Sequence, residues 1–154
     1  MNRWLGAGAI LAGSIALGAI REFLFLNLNY QIDHVERGTP YSYAHSLFQG
    51  WTKDLDLEAL VLLKWSLSLA FIATLAAAAV GTARLLYPEK RYGVPILIGT
   101  VTMAFLAFGL HLGGSWLPPL GSVGVKVLHA LQYPVVLLLL WVARPLVGRA
   151  DRSQ

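Results

Sequence analysis

Seven side chains carry the chemistry this sequence offers within or beside its apolar stretches: Arg21, Glu22, Lys64, His111, Lys126, His129 and Tyr133. If each stretch is a helix rising 1.5 Å per residue, Arg21 and Glu22 lie about 27–29 Å from Arg3 and Lys64 lies about 30 Å from Arg84. On the same scale His111 lies about 28 Å from Tyr92, and His129 and Lys126 lie about 22 and 27 Å from Arg144. All four stretches therefore place ionisable groups near one level. Such groups are costly in apolar surroundings and mark a functional site by default. The competing reading for Arg21, Lys64 and Lys126 is that long stems reach up to lipid headgroups. Glu22 is short and precedes Phe23-Leu24-Phe25-Leu26, so it needs a partner. Lys64, or Lys126 with His129, is expected to supply one, as a structural ion pair or as part of a site. Gln132 and Tyr133, three and four residues after His129, neighbour it on the helix surface.

His111 and His129 fall on successive stretches and together could ligate a b-type haem or a divalent metal. Glu22, His34 or His45 would be the further ligands. The alternative is a pair of hydrogen-bonded core histidines, favoured by the small residues nearby, which imply tight packing. Catalytic signatures are missing: there is no H-E-x-x-H helix, G-x-S-x-G elbow, P-loop or G-x-G-x-x-G. Ser115 after Gly113-Gly114 reads as a turn. With no cysteine, thiolate metal sites, Cys nucleophiles and disulfides are excluded.

The elements that must position these residues are membrane spans. Of 154 residues 56% are apolar and 13% charged, where a soluble domain carries about 25% charged. Four stretches reach the roughly 20 residues needed to cross a bilayer core: about 4–26, 57–86, 94–112 and 123–142. The first could alternatively be a cleaved signal peptide, but no clean A-x-A site follows it. Orientation follows from charge. With both termini inside, the inner side holds Arg3, Arg84, Lys90, Arg91, Arg144, Arg149 and Arg152 against Glu89 and Asp151. The outer side is left with a net charge of −1 in an overall +4 chain. Basic inner flanks make N-in, C-in the expected topology. The pI of 9.6 does not imply nucleic-acid binding, because the basic residues are dispersed. One all-α integral membrane domain is expected, a four-transmembrane-helix bundle.

The outer loop 27–56 holds most of the remaining polar residues. Asn27 and Asn29 would end the first span or begin the loop. Thr39-Pro40 resembles an N-cap with proline at the first helical position, and Gly50 a stop. Between them Ala44, Leu47, Phe48 and Trp51 recur at helical spacing, which predicts a short amphipathic helix on the outer surface or capping the bundle. Tyr43, Phe48 and Trp51 would serve as its docking residues. Pro134 should loosen the fourth span and free the Ala130 carbonyl. Small residues predict the packed faces: Gly6, Ala9, Gly13 and Ala16; Ala73, Ala77 and Gly81; Thr100, Ala104 and Ala107 with His111. These stripes would serve packing within the chain or, alternatively, a homo-oligomer.

The stretches Arg21-Glu22-Phe23-Leu24-Phe25-Leu26-Asn27-Leu28-Asn29, Tyr43-Ala44-His45-Ser46 and Lys64-Trp65 resemble small uncharacterised four-span bacterial membrane proteins of the kind associated with exosortase-type surface sorting. The resemblance covers less than a third of the chain and includes no catalytic motif. It implies a non-catalytic accessory or assembly subunit of the bacterial inner membrane, whose partner is another membrane or periplasmic protein. A haem- or metal-binding protein and a small oligomeric channel or transporter are the other classes. Against the last, Thr74, Thr100 and Thr102 are the main polar residues at mid-depth in spans two to four.

Overall fold

The computed structural model describes residues 2–150, with side chains described through Arg144. Asp151, Arg152 and the Arg149 side chain, counted above among the inner charges, lie outside these. The described residues form six helices and no strand. Three helices are long and apolar enough to cross a membrane, and a fourth crossing results if the bent pair at the C-terminal side is one span.

Helix α1 runs Arg3–Arg37, opened by the Asn2 carboxamide, which accepts from the Trp4 amide at 3.2 Å. It does not stop near Leu26. The polar residues from Asn27 onward lower hydropathy but contain no helix breaker, and the helix continues to Gly38. There the backbone turns left-handed at φ 60°, a conformation suited to glycine, and the Gly38 amide closes on the His34 carbonyl. Asn27 is buried inside the helix instead of capping it. Its side chain donates to the Phe23 carbonyl and accepts from the His45 amide, tying the incoming loop to α1.

Helix α2 is shorter than the sequence implies, Ser46–Thr52, and its N-cap is His45, not Thr39. The Thr39 hydroxyl is engaged elsewhere, at 2.8 Å from His34 Nδ1 and donating to the Tyr41 carbonyl. Phe48 points inward and, with Ala44, packs on Leu28 of α1 and Leu60 of the next helix. Helix α3, Leu57–Leu86, starts where the Asp56 carboxylate accepts from the Ala59 amide and ends before Pro88. Helix α4 is Gly93–Gly113, α5 is Pro118–Leu131 and α6 is Val135–Ala150.

Helices α1 and α3 pack along each other, α4 packs on α5, and α3 links the two pairs while also touching α6. Helices α4 and α5 approach closely at Gly124. A Cβ there would stand 2.6 Å from the Ala107 carbonyl oxygen and 2.7 Å from the His111 nitrogen. Ala107 is the only buried residue of α4, which fits the expected packed face. The stripes expected in α1 and α3 do not pack, Ala73 and Ala77 of α3 being exposed. Ala9, Gly13 and Ala16 are exposed, while Ala7, Ser14 and Gly18 face the bundle. In α1 the bulkier neighbours Ile10 and Leu17, set beside those three, fill the interface with Leu75, Ala79 and Leu137.

The fourth stretch is broken. Between α5 and α6 the axis bends by 58° at Gln132-Tyr133-Pro134. Proline has no amide hydrogen to continue α5, and the freed groups are re-used locally. The Ala130 carbonyl accepts from the Tyr133 amide at 3.3 Å, so it is not left free, and the Gln132 amide donates to His129. At the other end of the bundle Tyr87 donates to the Leu140 carbonyl at 2.8 Å, fastening α6 to the end of α3. Burial holds the Tyr87 phenol above its ordinary pKa.

Candidate functional site

A cleft of about 310 Å³ opens near the α2 end of the bundle. Arg21, Glu22, Lys64, His111 and His129 line it, together with Gln132. Five of the seven residues singled out by depth therefore converge. Tyr133 joins them through hydrogen bonds. Lys126 does not: it is exposed on α5 and absent from the lining.

Arg21 organises the site. Its residue is 3% exposed, and the guanidinium is shared among three side chains, one on α1 and two at the break between α5 and α6. Nε donates to Gln132 Oε1 at 3.0 Å, while Nη1 donates to Glu22 Oε2 and to the Tyr133 hydroxyl, each at 3.1 Å. The cation also lies 4.7 Å from the Phe25 ring centroid and 5.0 Å from that of Tyr133, an attraction between charge and ring quadrupole. Nη2 is buried and has no partner. Tyr133 in turn donates to Glu22 Oε2 at 2.6 Å. The break at Pro134 makes this possible, by holding Gln132 and Tyr133 against α1.

Glu22 is therefore partnered by Arg21 and Tyr133. The expected pairing with Lys64, or with Lys126 and His129, does not form. Lys64 is half-buried on α3, and among the described residues its ammonium has neither a hydrogen bond nor an ion pair. His129 is exposed on α5, within the fields of Arg21, Glu22 and Lys64. His111 lies with its ring centroid 5.3 Å from that of Trp65, and its Nδ1 is buried without a partner.

Both histidines thus face one cleft, which Glu22 also lines with its carboxylate held by Arg21 and Tyr133, but His34 and His45 do not join them. His34 bonds to Thr39, and His45 caps α2 by accepting from the Leu47 amide. Among the described residues no group of three or more His, Asp or Glu side chains is placed to hold a metal ion. The docking residues also divide. Tyr43 and Trp51 are 70% and 67% exposed, but Phe48 is 3% exposed and belongs to the core. Phe48 faces inward because the loop carries α2 back onto α1 and α3, which turns the apolar side of this short helix toward protein.

The role of Gln132 went beyond what spacing could reveal. It is 1% exposed and receives the Arg21 Nε bond across the bend. Phe25 carried a signal, standing four residues after Arg21 and so on the same helix face. A second, apolar cleft of about 500 Å³ lies between α3 and α4 and shares Trp65, Ser68 and Leu128 with the first. The arrangement offers two cations, one acid and an unpartnered guanidinium nitrogen beside an apolar groove. Arginine's planar fork suits carboxylate and phosphate oxygens. Comparisons of the chain with protein-family models, curated proteins and solved structures find no match.

Proposed function

We propose that this chain is a four-span integral protein of a bacterial inner membrane, with both termini inside, acting as a non-catalytic accessory or assembly subunit. In this reading α5 and α6 form one broken span, and the α2 end of the bundle faces outward to meet a membrane or periplasmic partner. Large apolar side chains exposed along α3, α4 and α6, among them Leu69, Phe105 and Leu139, support lipid as the surrounding medium.

The observation that carries the accessory role is the aromatic patch at the α2 end. Tyr43 meets Tyr30 in a tilted contact and Tyr41 edge-on, with ring centroids 6.2 and 5.3 Å apart, and all three are exposed. Tyr30 stands about 40 Å along α1 from Arg3, beyond a hydrocarbon core of about 30 Å. Exposed aromatic residues of this kind are enriched in protein interfaces. The test is purification from native membranes of the unaltered chain and of a Tyr43→Ala/Trp51→Ala variant. A stoichiometric companion lost from the variant, with helical content unchanged, is the expected result. A companion retained in full contradicts this docking surface.

A further inference from the structure

We infer that the polar cleft and the α3–α4 groove form one binding site for a membrane phospholipid, its phosphate held by Arg21 and Lys64 and one acyl chain lying in the groove. The inference rests on the reading of the chain as membrane-embedded.

Charge favours a phosphate. The cleft sets Arg21 and Lys64 against Glu22 alone, and Glu22 Oε2 is already taken by Tyr133 and Arg21. The net charge of these three groups is +1, which one phosphodiester would neutralise. Two donors are unspent, the buried Nη2 of Arg21 and the ammonium of Lys64. A buried cationic donor without a partner is costly, and a small local opening of the cleft would let a phosphate oxygen satisfy it with a short charge-assisted bond. Gln132 fixes Nε of the same guanidinium at 3.0 Å, so Arg21 is held in place before any ligand arrives.

The groove fits the rest of the molecule. Its walls are almost wholly apolar, from Trp65 to Ala77 on α3 and from Leu97 to Phe108 on α4. The two hydroxyls on it are spent internally, Ser68 donating to the Lys64 carbonyl and Thr100 to the Ile96 carbonyl. From Trp65 to Ala77 the wall is about 18 Å long, close to the roughly 15 Å half-thickness of a bilayer core that one leaflet's acyl chain must cover. Because Trp65, Ser68 and Leu128 line both spaces, headgroup and chain are continuous.

The test begins with the alkaline-washed membrane fraction, from which the protein is solubilised and delipidated in mild detergent. Native mass spectrometry then measures binding of three probes: phosphatidylglycerol, diacylglycerol of the same chains, and inorganic phosphate. One phosphatidylglycerol per chain is expected, at least about tenfold tighter than diacylglycerol, the loss expected for one charge-assisted contact. Lys64→Gln, which breaks no bond in the fold, should lower that affinity about tenfold, and Ala104→Phe, which fills the groove, should lower it by at least as much. Equal binding of diacylglycerol, or no effect of Lys64→Gln, overturns the phosphate contact. Binding of inorganic phosphate as tight as the lipid, untouched by Ala104→Phe, identifies a free anion and overturns the lipid. A chain missing from the washed membranes overturns the membrane reading and this inference together, whereas a membrane-resident chain without lipid selectivity overturns this inference alone.

Discussion

Tyr133 and Glu22, 111 positions apart in the chain, meet in a 2.6 Å hydrogen bond that closes the C-terminal bend onto α1. The same phenol accepts from Arg21, so one side chain at the break carries both the acid and the base of the cleft. Removing the hydroxyl should loosen that closure. Tyr133→Phe is expected to lower stability in detergent by about 1–2 kcal/mol, toward the lower end of charged hydrogen bonds because the Glu22 side chain is 63% exposed. Thermal unfolding followed by circular dichroism measures it. An unchanged midpoint would show that the bend is held by other contacts.

A double substitution separates this arrangement from an ion pair with Lys64. Glu22→Gln should destabilise the chain, and adding Lys64→Met should restore nothing, since Lys64 makes no bond to Glu22. Recovery of the midpoint in the double variant would instead place the lysine in the pair.

Gly124→Ala probes the α4–α5 contact. The added methyl would meet the Ala107 carbonyl oxygen and the His111 amide at 2.6 and 2.7 Å, backbone atoms that cannot swing aside. Overpacking of this kind costs about 1–3 kcal/mol, and the helices must separate. The expected outcome is lower stability and a change in Trp65 fluorescence, because the Trp65 ring lies against His111. Wild-type stability and emission would mean that the two helices have room to spare.

Phe48 and Trp51 are three residues apart on α2 but should respond very unequally. Phe48→Ala empties a site packed by Leu28, Ala44 and Leu60 and should cost about 3–5 kcal/mol. Trp51→Ala removes an exposed ring and should leave the midpoint within about 0.5 kcal/mol. Equal losses from the two would contradict the orientation of α2.

Much of this arrangement was legible in the sequence, and the rest was not for identifiable reasons. Apolar run length located the long helices, and helical rise alone placed Arg21, Glu22, Lys64, His111 and His129 at one level, where the cleft gathers them. Falling hydropathy after Leu26 points to a helix stop there, whereas the stop is Gly38 with its positive φ. Helical spacing identified the apolar side of α2, including Phe48, but not whether it faces lipid, a partner or the chain's own α1 and α3. The partners of Glu22 escaped because residues i and i+1 do not ordinarily face each other on a helix, and because Tyr133 reaches α1 only through a bend whose angle the single Pro134 does not specify. Gly124 shows the same limit: its role depends on α5 lying against Ala107, a register visible only in three dimensions.

The four-span, N-in arrangement is tested most directly by labelling, and the cysteine-free chain makes single-cysteine variants unambiguous. Lys53→Cys, Ser115→Cys and Glu89→Cys place thiols in the loops after α2, after α4 and after α3. Each is treated with a membrane-impermeant maleimide in intact spheroplasts and again after permeabilisation. Positions 53 and 115 are expected to label in intact spheroplasts, while position 89 labels only once the membrane is opened. Labelling of position 89 from outside, or of 53 and 115 from opposite sides, would contradict that arrangement.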